Sequence, residues 1–183
     1  LKTPRITTLT LNLTDSVTVQ WHGVGGRAIA KVRQFDLDEV IRFQPEIVFL
    51  QIGTNDLVQR GTSPLIVGSA IEDLVRLLHG EYGVRLICVG QTIRRHLAGN
   101  FNANVRLLAQ YLKTVLEPLP FAIYWTHRGF WRASNSYLSY DGVHLNREGQ
   151  PMSVQPISAV KLTRPITRHL ALSIEDFYGL RRE

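Results

Sequence analysis

"EIVFLQIGTNDL", residues 46–57, runs from an unbroken apolar stretch straight into Gly53, Thr54, Asn55 and Asp56. A strand that alternates apolar and polar residues has one wet face; this one does not alternate, so it reads as a strand buried on both faces. Glycine, threonine, asparagine and aspartate then turn the chain sharply. "VRLICVGQ" (84–91) and "FAIYWTH" (121–127) repeat the buried-strand pattern, and "SVTVQWHG" (16–23) reads as a strand running into a glycine loop.

Helical periods fill the spaces between these strands. "FDLDEVIRF" (35–43) puts Leu37, Val40 and Ile41 on one face and stops before Pro45. Residues 63–83 open with Ser63 as cap and Pro64 at the first helical position. They carry Val67, Ala70, Ile71, Leu74, Leu77 and Leu78 at helical spacing and end at Gly83. Residues 100–118 point Val105, Leu108, Leu112 and Val115 inward. Strands alternating with helices of this length predict an α/β fold, a mostly parallel sheet with helices on both faces. In such sheets the site lies beyond the carboxyl ends of the strands. The polar clusters fall there: Gly23–Gly26, Gly53–Asp56 and, past the last strand, Asp141–His144.

The 183 residues suit one domain over 1–183, with a hard-to-read tail over 151–183 in which Pro156 and Pro165 interrupt a helix-like stretch. A hydrophobic share of 44% and a charged share of 20% are those of a globular protein, and no apolar run is long enough for a membrane helix. The single cysteine, Cys88, sits in a strand and is compatible with a reducing compartment, which favours the cytoplasm. A net charge of +6 would suit nucleic acid, but no Lys/Arg run interleaved with aromatics accompanies it.

Three motifs bear on chemistry. Asn55 can aim a side-chain N–H at an oxyanion, although the same residues make an ordinary turn. "WHGVGGRA" (21–28) lets backbone N–H groups approach a ligand, yet it is neither a G-x-G-x-x-G nor a phosphate loop, and taken alone it reads first as a tight structural loop. His22 beside it reads as a packed or surface histidine. "YDGVHLNREG" (140–149) sets Asp141 three residues before His144, so a carboxylate can fix the tautomer of a basic imidazole. One cysteine and scattered histidines give no zinc spacing.

Taken together, in this order, the motifs resemble those of the SGNH (GDSL-type) hydrolases, a family of esterases and lipases. "WHGVGGRA" resembles the family's second block, "GTND" is its third and "DGVHLN" its fifth, over about residues 17–150. The resemblance implies a three-layer α/β/α sandwich that cleaves carboxylic esters without metal or organic cofactor. It implies His144 as general base, Asp141 as its orienting partner, and Gly26 and Asn55 as oxyanion donors; Gly25 is one position off the alignment. The family's first block, Gly-Asp-Ser, is not in the chain. Ser16 in "LTDSV" lies too close to Gly26 for a crossover and opens its strand at the wrong end. The nucleophile is therefore expected upstream of Leu1, on a strand whose absence would leave its neighbours unpaired. Alternatively residues 6–13 fill that place and leave a hydrolase fold that only binds, with nucleic acid as one partner. Ser134, Ser136 and Ser139 precede the Asp141 loop without support as substitutes. Asp56 is expected to support its turn. Trp125, Phe130, Trp131 and Tyr140 flank the expected crevice, and Arg94 and Arg95 could meet an anionic group there.

Overall fold

The computed structural model describes residues 18–23, 26–31, 34–96, 99–127, 137–146 and 169–174. In chain order its main elements are β1 (Thr18–Gly23), α1 (Gln34–Phe43), β2 (Ile47–Gln51), α2 (Pro64–Gly80), β3 (Leu86–Gly90), α3 (Phe101–Leu116), β4 (Ala122–Trp125) and β5 (His169–Ile174). The five strands form one sheet in the order β1-β5-β2-β3-β4, and all four strand pairings within it are parallel. This is the α/β class expected from the sequence.

All five residues of β2 are buried, as its unbroken apolar run requires. Val48, Leu50 and Ile52 join Ile87 and Val89 in one cluster with Val67, Ile71, Val75 and Leu78 of α2 and Val105, Leu108, Leu112 and Leu116 of α3. Each such side chain contributes about 1.5–3 kcal/mol by leaving water. The helical faces are those read from the sequence with three shifts: Val75 points inward, Leu77 is left 38% exposed, and Ile41 of α1, read as inward, is 56% exposed. Ser63 caps α2 by accepting the Ile66 N–H at 3.2 Å, which satisfies a donor that the first turn leaves without a helical partner. The strand over 121–127 is less enclosed than its sequence suggests. Among the described residues β4 pairs only with β3, and Ile123 is 37% exposed.

Polar residues are buried where the strands end. The Gln51 carboxamide donates to the Gln91 carbonyl at 2.9 Å and meets His127 Nε2 at 2.8 Å. Its oxygen can only accept, so the His127 hydrogen sits on Nε2. Burial pushes the His127 imidazole down to about 4, because an apolar surrounding penalises its charged form. Gly90 is required beside it: a Cβ there would strike the Gln51 side-chain oxygen and the Phe49 ring.

The expected gap next to β1 and β2 is not open. β5 occupies it, pairing Thr18–Gly23 on one side and Ile47–Gln51 on the other. The tail read as an interrupted helix thus supplies a central strand over His169–Ile174. Between two parallel neighbours a short segment gains ladder hydrogen bonds along both edges, which outweighs its weak local preference. Residues 6–13, the other candidate for that place, lie outside the described residues, as do Ser16, Gly25, Phe130, Trp131, Ser134 and Ser136.

Candidate active site

The turn after β2 begins at Gly53, whose φ of 102° lies in the left-handed region, and closes with the Leu57 N–H on the Gly53 carbonyl at 3.1 Å. Asn55 opens the short helical turn Asp56–Val58 but does not cap it with its side chain. Its carboxamide instead donates to the Arg27 carbonyl at 3.0 Å. A carboxamide nitrogen carries two hydrogens, so this bond fixes the rotamer and leaves one N–H to point elsewhere. Asp56 makes the second tie, accepting the Ile29 N–H at 2.9 Å. Burial pushes the Asp56 carboxyl up, against the hydrogen bonds from Ile29 and from its own backbone, which lower it. Its other oxygen is buried without a hydrogen-bond partner among the described residues. Asp56 therefore supports the turn, as its position in the sequence suggests.

Gly26 stands exposed on the facing loop with φ 68°. The next residue is anchored from a third direction, because the Arg27 guanidinium donates to Asp36 of α1 at 2.8 Å. His22 of β1 reaches the same Asp36 oxygen at 2.8 Å, which makes it a packed histidine in a local polar cluster. Gly26 and Asn55 are thus drawn together through Arg27, whose carbonyl holds one and whose peptide adjoins the other.

Asp141 and His144 sit at the tip of a small hairpin over residues 137–146. Leu138 pairs with Leu145, the Ser139 N–H donates to the His144 carbonyl at 2.7 Å, and the Asn146 N–H donates to the Tyr137 carbonyl at 3.0 Å. One Asp141 oxygen accepts the N–H groups of Val143 and His144 at 2.9 and 3.0 Å. The other meets His144 Nδ1 at 2.5 Å. Partial burial pushes the Asp141 carboxyl up, but the ring and backbone bonds from His144, the Val143 N–H and the His144 charge outweigh it and bring it down to about 2. An Nδ1–H held on a carboxylate leaves Nε2 as the basic nitrogen. Both side chains keep 34% exposure, so reactants can reach them.

The loop between β3 and α3 touches both halves. Thr92 donates its hydroxyl to the Ile52 carbonyl at 3.3 Å, one residue before the Gly53 turn. The His96 N–H donates to the Gly142 carbonyl at 2.8 Å, inside the Asp141–His144 turn. Four Cα steps separate Thr92 from His96, at most about 14 Å of chain, so one short loop ties both turns to the same end of the sheet. Gly142 suits that contact: its φ is 67°, and a Cβ there would come 2.8 Å from His96 Cβ.

Other residues singled out in the sequence fare differently. Arg95 packs its guanidinium over the Phe101 ring, 4.8 Å from the centroid, so it serves packing here. Tyr140 is fully exposed beside Asp141, and Trp125 ends β4 partly buried. Sequence reasoning missed Ser173, which β5 brings into the sheet level with His22 and Leu50. That level lies within the sheet, short of the turns that carry Gly26 and Asn55. No group of three or more His, Cys, Asp or Glu among the described residues could hold a metal. No described helix is long and apolar enough to cross a membrane.

A parallel α/β sheet thus carries the Asp141–His144 turn and the Gly53–Asp56 turn, joined by one loop. The profile of the GDSL-like lipase/acylhydrolase family matches residues 6–151, and the chain belongs to that family. Among solved structures it is similar to a mutant acetyl esterase with an acetate ion and to a carbohydrate esterase family 3 protein from Talaromyces cellulolyticus. Each aligns with a TM-score of 0.59 at 17% identity, over 73% of this chain. The chain spans 65% of the length of each of these two structures, and at this identity the likeness speaks to the fold. No curated protein sequence matches it.

Proposed function

We propose that this domain hydrolyses carboxylic esters, with His144 as general base, Asp141 as its orienting partner, and the Asn55 side chain and the Gly26 N–H as oxyanion donors. The observation that carries the reading is the Asp141–His144 pair at 2.5 Å, tied through the Thr92–His96 loop to the turn whose Asn55 carboxamide is fixed by Arg27. His144 Nε2 takes the proton from a hydroxyl nucleophile as that oxygen attacks the acyl carbonyl. Asp141 stabilises the imidazolium that forms, and Asn55 and Gly26 donate to the oxygen on which charge develops. The imidazolium then protonates the leaving alcohol, and water releases the acyl group by the same steps. No step calls for a metal or an organic cofactor.

The nucleophile in this reading is a serine upstream of Leu1. Its strand would compete with β5 for the place between β1 and β2. The test is fluorophosphonate labelling of the naturally expressed protein with mass-spectrometric mapping of the adduct. A label on a serine upstream of Leu1 that is lost in His144→Ala supports the reading. A label on Ser139 or Ser173 overturns the assignment of the nucleophile. No label on any serine overturns the hydrolase mechanism and leaves a binding domain.

A further inference from the structure

The pair that would activate the nucleophile sits at the tip of a hairpin whose Tyr140 and Asp141 are exposed, and a hairpin tip by itself does not hold an imidazole to a fraction of an ångström. A general base must lie about 2.6–3.2 Å from the proton it takes. A displacement of 1 Å can cost about a hundredfold in rate. Something outside the hairpin must fix the tip, and one chain of contacts reaches it from a rigid element.

That chain starts on α3, whose Val105, Leu108, Leu112 and Leu116 are among the most enclosed residues of the core. At the second position of this helix, Asn102 accepts the Arg95 N–H at 3.0 Å and donates to the Arg95 carbonyl at 2.8 Å. One side chain therefore binds both backbone groups of a single residue, which fixes the peptide planes on either side of it. The Arg95 side chain is held as well, over the buried Phe101 ring. The adjoining residue, His96, gives its N–H to the Gly142 carbonyl at 2.8 Å. Gly142 is bonded to Asp141 in the chain, and its own N–H donates to the Ser139 carbonyl at 2.9 Å.

We propose that Asn102 is a positioning residue for the Asp141–His144 pair, acting through the Arg95 backbone and the His96-to-Gly142 hydrogen bond. The proposal rests on the reading of His144 as general base. Asn102 does not decide whether the pair forms, since the bonds that make it lie within Asp141–His144. It decides where the pair stands relative to Asn55, because the same loop is tied at its other end to Ile52 through Thr92.

The experiment compares wild type, Asn102→Ala and His144→Ala in steady-state hydrolysis of p-nitrophenyl acetate by the naturally expressed protein. Rates are normalised to active sites titrated with a fluorophosphonate. Asn102→Ala should lower kcat per active site about 10- to 100-fold with KM within about twofold, since misplacement of the base weakens the transition state more than substrate binding. Histidine ring 15N spectra should show His144 still protonated on Nδ1. Asn102→Ser, whose hydroxyl can replace one of the two bonds to Arg95, should lose less, and it stands in if the alanine variant does not fold. An unchanged kcat in Asn102→Ala, or a loss explained wholly by fewer active sites, overturns the positioning role. Activity that survives in His144→Ala overturns the underlying assignment instead.

Discussion

Asp141 and Asp56 are two aspartates at the mouth of one sheet, and their carboxyls shift in opposite directions. Asp141 is half-exposed, four hydrogen-bond and charge contacts with its own turn offset the cost of burial, and it falls to about 2. Asp56 is buried beneath the loop at Ile29 with one oxygen unpartnered among the described residues, and burial raises it. The difference separates the two halves of the site. The Asp141–His144 half is built from residues three apart and needs little beyond its own hairpin to form. The Asn55 half is assembled from distant segments, since Arg27, Ile29, Ile52 and Thr92 all take part. A local device can be exposed and still keep its geometry; an assembled one depends on burial to exclude water as a competitor for its hydrogen bonds.

This contrast makes the two halves separable by mutation. The largest effect is expected at His144, where alanine should cut kcat by about 10⁴-fold or more while the fold survives, as loss of a triad base does elsewhere. Asn55→Ala should cost less in rate, about 10²–10³-fold. It should also lower the melting temperature, because the Arg27 carbonyl loses its donor; ester kinetics and thermal melts measured on the same samples separate the two losses.

Asp141 and His127 lose their contributions in different pH windows. The folded Asp141 carboxyl at about 2 lies below its ordinary 3.8, so its contribution to stability is fully present above 3.8 and is lost as pH falls through about 2. The stability difference between wild type and Asp141→Asn should therefore shrink between pH 5 and pH 2. His127 titrates in a different window. Its folded value of about 4 lies below the ordinary 6.5, so the protein should lose stability as pH falls from 6.5 toward 4, by about 3 kcal/mol at most. Urea denaturation at pH 7 and pH 4.5 should show that loss in wild type, and His127→Gln should flatten it. The smallest effect is expected far from the crevice, where Ser63→Ala removes the cap of α2 and should cost about 1 kcal/mol without altering kcat.

What could be read in the sequence follows the same division. β2, β3, α2 and α3 were legible because their apolar periods decide burial locally, and Asp141–His144 because three residues of spacing suffice for the pair. The apolar run of β4 reads like that of β3, but enclosure depends on having a neighbour on each side, and among the described residues β4 pairs only with β3. β5 was missed because "HLALSI" follows two prolines and is too short to show a period. Its strand character comes from the open edges of β1 and β2, partners about 150 and 120 residues away. The clamp of Asn102 on Arg95 had no sequence signal either, since an asparagine near a helix start reads first as a cap.

In the proposed mechanism the two differently built halves act on one acyl group. A double-mutant cycle in ester hydrolysis, with His144→Ala, Asn55→Ala and the pair, measures this directly. If both act in one transition state, the combined loss in kcat will be much smaller than the product of the single losses. A fully multiplicative loss, or a His144→Ala variant that still turns over ester at the wild-type rate, would contradict it.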